Sequence, residues 1–379
     1  MKLKPLNSAL ALAISLACGA AQAAPLLVKA ALDVAPQNGW AGAEGGTTGG
    51  SQAKADQIYQ VSNQQQLLAA LKSGGNENKI IQLTGMIDVA NGQPYQSAED
   101  QKARSIVTIP ANTTLIGVGQ AAGLVHGSVL VSGVQNVIIR NLTIESPVDV
   151  APKFEDGDGW NAEWDSMTVT GSQHVWIDHV TFTDGTFTDK DYGKKDGWEY
   201  VQHDGMLDIK RGSDFVTVSY SVFRQHDKTM LIGHSDKNAE QDAGKLHVTL
   251  HHNLFDQTVQ RTPRVRFGRI HAYNNAFIGD KDAAEYPYLY SFGIGKDGGV
   301  LSEANVFEIA NLPDQCQLVK EFKGTLFKDT GSTVNGQPFA LPATCHYDES
   351  LPAPGYVYRT EAAGNVKQAV MKHAGAGKL

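Results

Sequence analysis

A chain of 379 residues is too long for a small module and can hold one large domain or two. Its 32 basic and 40 acidic residues give a formal charge of −8, which argues against nucleic acid as the general partner and leaves room only for a local basic site.

The start of the chain reads as an export signal over residues 1–23. Lys2 and Lys4 are basic, "SALALAISLACGAA" is apolar, and "AQA" ending at Ala23 is a small-residue cleavage site. A secreted, extracellular product is expected. The apolar stretch is short and lacks a stop-transfer flank, so no membrane anchor is read. Cys18 lies inside it, but Ser15 is a poor residue three places before a lipoprotein cysteine. Losing residues 1–23 removes two lysines and no acid, leaving 30 basic and 40 acidic residues and a charge of −10. Two cysteines then remain, Cys316 and Cys345. In an exported chain they read as one disulfide, or else as two separate buried thiols.

Further along, the composition of "WAGAEGGTTGG" (40–50) reads as a flexible linker. "SNQQQLLAALKSG" (62–74) predicts a helix, with Ser62 as N-cap, Leu67, Leu68 and Leu71 as its apolar face and Gly74 as its stop. "GVGQAAG" (117–123) brushes against a dinucleotide fingerprint, but no helix signal follows, so it reads as a strand-end turn.

From about residue 80 the text is short strands and turns, and six of the strands repeat: "VIIRNLTI" (137), "VWIDHVTF" (175), "VTVSYSVF" (216), "VTLHHNLF" (248), "IHAYNNAF" (270) and "VLSEANVF" (300). They share an eight-residue register, end in Phe or Ile, and in the last three carry Asn253, Asn275 and Asn305 at the sixth position. Their intervals run from 22 to 41 residues, one solenoid coil with loops on one side. An all-β, right-handed parallel β-helix is predicted, with stacked Asn side chains bonding along its axis and the helix at 62–74 capping one end. A β-sandwich or propeller with chance similarity is the alternative.

In such a solenoid, equal offsets from the repeat stack on neighbouring coils, roughly 4.8 Å apart. Asp165 lies ten residues before its window and Asp208 eight before the next; Lys228 and Arg261 lie 12 and 13 residues after the starts of theirs. Asp208 and Lys210 alternate with Leu207 and Ile209, so both should point away from the core. With Glu163 and Asp204, that makes a carboxylate cluster beside a Lys/Arg pair. Converging carboxylates repel, and calcium suits an all-oxygen shell; a solvated acidic face is the plainer reading. His179 reads as a turn residue and Trp176 as a packed one.

The motifs "VWIDHVTF", "DGMLDIKRGSDFVTVSYSVF", "HDKTMLIGHSD" and "QRTPRVRFGRIHAYNN", in this order, resemble those of the pectate lyases of polysaccharide lyase family 1. "NGW", "GGTTGG" and "TTLIGVG" resemble its N-terminal signatures, which would make the apparent linker ordered. The likeness spans about residues 38–310, with residues 311–379 expected to pack on that body in one catalytic domain.

The resemblance implies calcium-dependent β-elimination of polygalacturonate. Glu163, Asp165, Asp204 and Asp208 are similar to the calcium ligands, Arg261 to the catalytic arginine assisted by Lys228, and Arg266 and Lys210 to groups that hold substrate carboxylates. Glu163 for Asp, Asp204 for Glu and "DIKR" for "DIKG" depart from the usual pattern. The resemblance has Arg261 taking the C5 proton, and crowding by neighbouring cations would disfavour its charged form; alternatively it only clamps a carboxylate while water takes the proton. A pectin lyase acting on methyl-esterified polymer would lack the acid cluster. A polygalacturonase would hydrolyse with paired carboxylates, and a non-enzymatic carbohydrate-binding β-helix would need neither cluster. A monomer acting on polysaccharide, without nucleic acid or membrane, is expected.

Overall fold

The computed structural model describes residues 27–341 and 345–379; the predicted export segment lies outside them. Nearly every strand pairs in parallel with the strand one coil away. Three long sheets result. The first runs in order from Ile58–Val61 to Leu326–Thr330 over ten strands, and the second from Met86–Asp88 to Gln337–Pro338 over ten. The third runs from Ile106–Thr108 to Val319–Glu321 over eight. Each coil visits the first, second and third sheet in turn. This is the expected parallel β-helix, and parallel crossovers take the right-handed sense.

The repeat windows align as read. Val137, Val175, Val216, Val248, Ile270 and Val300 are successive ladder partners in the first sheet. The fifth residue of each window, Asn141, His179, Tyr220, His252, Asn274 or Ala304, is left-handed, with φ of 53°, 52°, 44°, 55°, 52° and 47°. That conformation is unfavourable for residues with a Cβ, and it turns the chain sharply from the first sheet to the second. In the last three windows the sixth residue, Asn, secures the turn. Asn253 Nδ2 donates to Asn275 Oδ1 and Asn275 Nδ2 to Asn305 Oδ1, both at 3.0 Å, and the Ser221 N–H donates to Asn253 Oδ1 at 2.9 Å. The closing Phe residues stack through the core, Phe182 on Phe223, Phe255, Phe277 and Phe307, at centroid spacings of 4.7, 5.1, 4.8 and 4.6 Å. Trp176 packs beside Ile138 and donates to Ser219 Oγ, and His179 stacks on Tyr220, so both are structural as read.

The predicted capping helix is Gln64–Lys72, with Leu67 and Leu71 in the core. Its N-cap is Asn63, not Ser62. The Asn63 side chain accepts from the Gln66 N–H, while Gln66 Oε1 reaches back to the Ser62 N–H, a reciprocal pairing that moves the cap one residue on. The Gly-rich segment is no linker. The Trp40 N–H donates to Thr249 Oγ1 across 209 residues of sequence, Ala41 N–H to Thr217 Oγ1, and Tyr273 OH to the Asn38 carbonyl across 235. At the other end, helix Ala363–His373 lays Val366 and Val370 on Val222, Leu254, Ala276 and Val306, and the Gly377 N–H donates to Asn141 Oδ1 across 236 residues. Cys316 and Cys345 form the expected disulfide, their Cα atoms 5.7 Å apart. Among the described residues no helix is long and apolar enough to cross a membrane.

Candidate active site

The longest sheet-to-sheet connections lead from the second sheet into the third, at residues 146–166 and 184–206. Leu207 and Ile209 enter the core, so Asp208 and Lys210 face away from it, as alternation predicts. The register differs from the offset argument, however. Asp208 pairs with Thr168, and Asp165 lies two residues before the start of the paired strands, level with Gly205. Loops of unequal length before each window shift the count.

Asp165 and Asp208 are both buried, and Lys210 Nζ donates to Asp165 Oδ2 at 3.2 Å and to Asp208 Oδ2 at 3.0 Å. Thr168 Oγ1 and the Gly205 N–H also donate to Asp165. A Cβ on Gly205 would stand 3.0 Å from Oδ1 of both aspartates, so only glycine leaves these oxygens open. Asp204 is partly exposed and lies 3.8 Å from Lys228 Nζ. Burial, and after it the charge of Asp165, raises the Asp204 pKa to about 6 and that of Asp208 to about 8. Burial works against the Lys210 ammonium, but Asp208 and Asp165 outweigh it and push its pKa up.

Glu163 stands further out. Its carboxylate is held by Lys153 and its N–H donates to buried Asp149 at 2.8 Å. Among the described residues, no three of the four acids bring one oxygen each within 4.8 Å of one another. Lys153, Lys210 and Lys228 are interposed as counter-charges. The donors nonetheless suit a hard cation in their chemistry: all are carboxylate oxygens, Asp165 and Asp208 come from adjacent coils, and Gly205 leaves space between those two.

The basic side begins one step away. Lys228 ends the second-sheet strand Val222–Lys228, and its ladder partner is Gln260, so Arg261 is one residue beyond the equivalent position on the next coil. Arg261 is half-buried and left-handed at φ 60°, and its Nε is buried without a hydrogen-bond partner. Arg264 Nε is likewise unpartnered, and its guanidinium lies 4.1 Å over Phe322; burial, then Arg266 and Arg261, lowers its pKa. Val265 enters the core behind it. Arg266 is already engaged: Nε donates to Asp236 at 2.7 Å and Nη1 to the Gly233 carbonyl at 3.0 Å. Two of its three nitrogens are thus taken.

Two supports escaped the sequence reading. Asn161 Oδ1 accepts from Lys228 Nζ and aims it. His226, fully buried, sits with Nδ1 2.9 Å from both Asp184 oxygens and Nε2 2.7 Å from the Asp204 carbonyl oxygen. Burial opposes its charge, but Asp184 prevails and lifts its pKa to about 9, so the ring carries two donors at neutral pH. The position of His226 two residues before Lys228 on one strand was the available signal; nothing local marked Asn161.

The pectate lyase family model matches residues 8–379. The chain belongs to the pectate lyase family. Pectate lyase D of Dickeya chrysanthemi is 51% identical over 352 residues, covering 91% of this chain and 90% of that protein. A pectate lyase of Bacillus subtilis (strain 168) is 36% identical over 389 residues, covering 90% and 92%. Among solved structures, a pectate lyase bound to a hexasaccharide superposes with a TM-score of 0.86 at 34% identity, covering 93% of this chain and all of that one. The pectate lyase of Acidovorax avenae subsp citrulli gives 0.85 at 27% identity, covering 97% and 99%. This chain is a polysaccharide-cleaving lyase, and the acid and base clusters lie near one another on adjacent coils.

Proposed function

We propose that this pectate lyase cleaves unesterified polygalacturonate by β-elimination, with calcium at the acid cluster, and that it acts outside the cell. The observation that carries this reading is the placement of Asp165, Asp204 and Asp208 against Lys228 and Arg261 on adjacent coils of one face. Bound calcium, held by these aspartates and Glu163, would neutralise a uronate carboxylate and acidify the neighbouring C5–H.

Arg261 takes the C5 proton. The C–H electron pair becomes the C4–C5 double bond, and the C4–oxygen bond breaks with its electrons leaving on the departing sugar. The position of Arg261, one residue beyond the ladder partner of Lys228 on the adjacent coil, supports this role. Lys228, aimed by Asn161, steadies charge on the carboxylate as it builds. Lys210 and the remaining nitrogen of Arg266 bind neighbouring carboxylates. The acid cluster favours this reading over a pectin lyase. The export reading rests on Lys2, Lys4 and "AQA".

The test is ultraviolet absorbance of the unsaturated product on polygalacturonate with calcium, repeated with excess chelator and on highly methylated pectin. A rise that chelator abolishes is expected. A rise only on methylated pectin, indifferent to chelator, or new reducing ends without absorbance, would overturn the proposal. Arg261→Lys should lower turnover by about 100-fold or more while calcium binding persists; near-full turnover would remove Arg261 from the base role.

A further inference from the structure

Two antiparallel hairpins lie within the two long connections, one pairing Lys153–Glu155 with Gly159–Asn161 and the other pairing Lys194–Lys195 with Trp198–Glu199. They meet through aromatic rings. Phe154 packs edge-on against Trp160 at 5.5 Å and Trp198 at 6.0 Å, and Trp160 leans on Tyr200 at 5.4 Å. Trp160 Nε1 donates to the Lys195 carbonyl, and a backbone bridge joins Trp160 to Tyr200. This cluster is held from several sides, yet Phe154 and Trp198 are each 44% exposed. A rigid pair of large rings offered to solvent marks a binding surface rather than a core. The surface is continuous with the active site, because Asn161 accepts from Lys228 and Lys153 pairs with Glu163.

Charge identifies the occupant. Residues 153–161 and 194–199 carry Lys153, Lys194 and Lys195 against Glu155, Asp156, Asp158, Asp196 and Glu199. Lys153 is spent on Glu163, and Lys195 Nζ lies 3.8 Å over the Trp160 ring. An aromatic surface with an excess of acids repels a run of free uronates but accepts sugar rings whose carboxyls are uncharged. The adjoining active site, with Lys210, Lys228, Arg261 and Arg264, has the opposite bias.

We propose that Phe154 and Trp198 form an accessory binding surface for methyl-esterified galacturonate units that flank the unesterified unit in the active site. The inference rests on the polygalacturonate reading and adds to it the substrate class, a partly esterified pectin chain.

The test uses Trp198→Ala combined with Phe154→Ala, and Trp198→Phe, which keeps a ring. Calorimetric binding of partly methyl-esterified and fully de-esterified oligogalacturonates of equal length is measured beside product absorbance on both polymers. The double variant should bind the esterified oligomer about tenfold more weakly and show a KM raised about tenfold on partly esterified pectin, with kcat little changed. Its kinetics on polygalacturonate should match the parent, which also reports an intact fold, and Trp198→Phe should retain most of the binding. Equal losses on both substrates, or none on either, would overturn the proposal. If the parent makes no unsaturated product, the lyase reading fails, while the binding arm still reports on the hairpins.

Discussion

At the residue scale, burial and the charge of Asp165 shift Asp204 and Asp208 in the direction that makes the proposed calcium site pH-dependent. With pKa values raised to about 6 and about 8, first by burial and then by Asp165, Asp204 and Asp208 take up protons at higher pH than free carboxylates, and a bound cation competes with those protons. Calcium affinity should therefore tighten as pH rises through that window and weaken below it. Titration calorimetry in buffers of different ionisation enthalpy should show protons released on binding; an affinity flat across the window would contradict this. The residues doing this were legible because a solenoid converts offset from a strand into position in space, which pointed to Asp165, Asp208, Lys228 and Arg261. The finer geometry was hidden by loops whose lengths differ from coil to coil. These loops set Asp208 opposite Thr168 rather than Asp165, and they bring Asn161 to Lys228 across 67 positions.

At the scale of the elements, the turn from first to second sheet carries a local cost and a shared remedy. Six fifth-position residues sit in the left-handed region, and in the last three windows the Asn that follows joins a ladder that satisfies the N–H groups of Asn253 and Asn275. Asn275→Ala removes the acceptor for the Asn253 N–H and Nδ2 and the donor to the Leu250 carbonyl. Leaving those groups buried and unpaired should cost roughly 2–3 kcal/mol. Denaturant titration should show that loss with turnover per folded molecule unchanged; a change below experimental error would mean the ladder is ornamental. The recurring Asn was visible in the windows, but the left-handed residue before it was not. That position is filled by Asn, His, Tyr and Ala alike, so the coil above and below enforces the conformation and no residue preference announces it. The helix cap shows the same limit on a smaller scale, since Ser62 and Asn63 are both good caps and only the reach of Gln66 decides between them.

For the whole molecule, the solenoid's interior depends only on neighbouring coils, whereas residues 38–41 and the helix Ala363–His373 lie along its outside. Helix Ala363–His373 covers an apolar stripe that runs across four coils, from Val222 to Val306. Val366→Asp, which puts a charge where a fully buried methyl pair sits, should detach this helix without unwinding the coils. Limited proteolysis should then remove the C-terminal segment first while turnover persists; cooperative loss of the whole molecule would show that the helix is integral to the solenoid.

The N-terminal segment imposes an order in time. Asn38 and Trp40 find their partners on Tyr273 and Thr249, more than two hundred residues downstream. Those partners do not exist until most coils have been synthesised and wound. Asn38 and Trp40, though made early, are thus among the last parts to settle, and folding must travel coil by coil before they can be fastened along the finished stack.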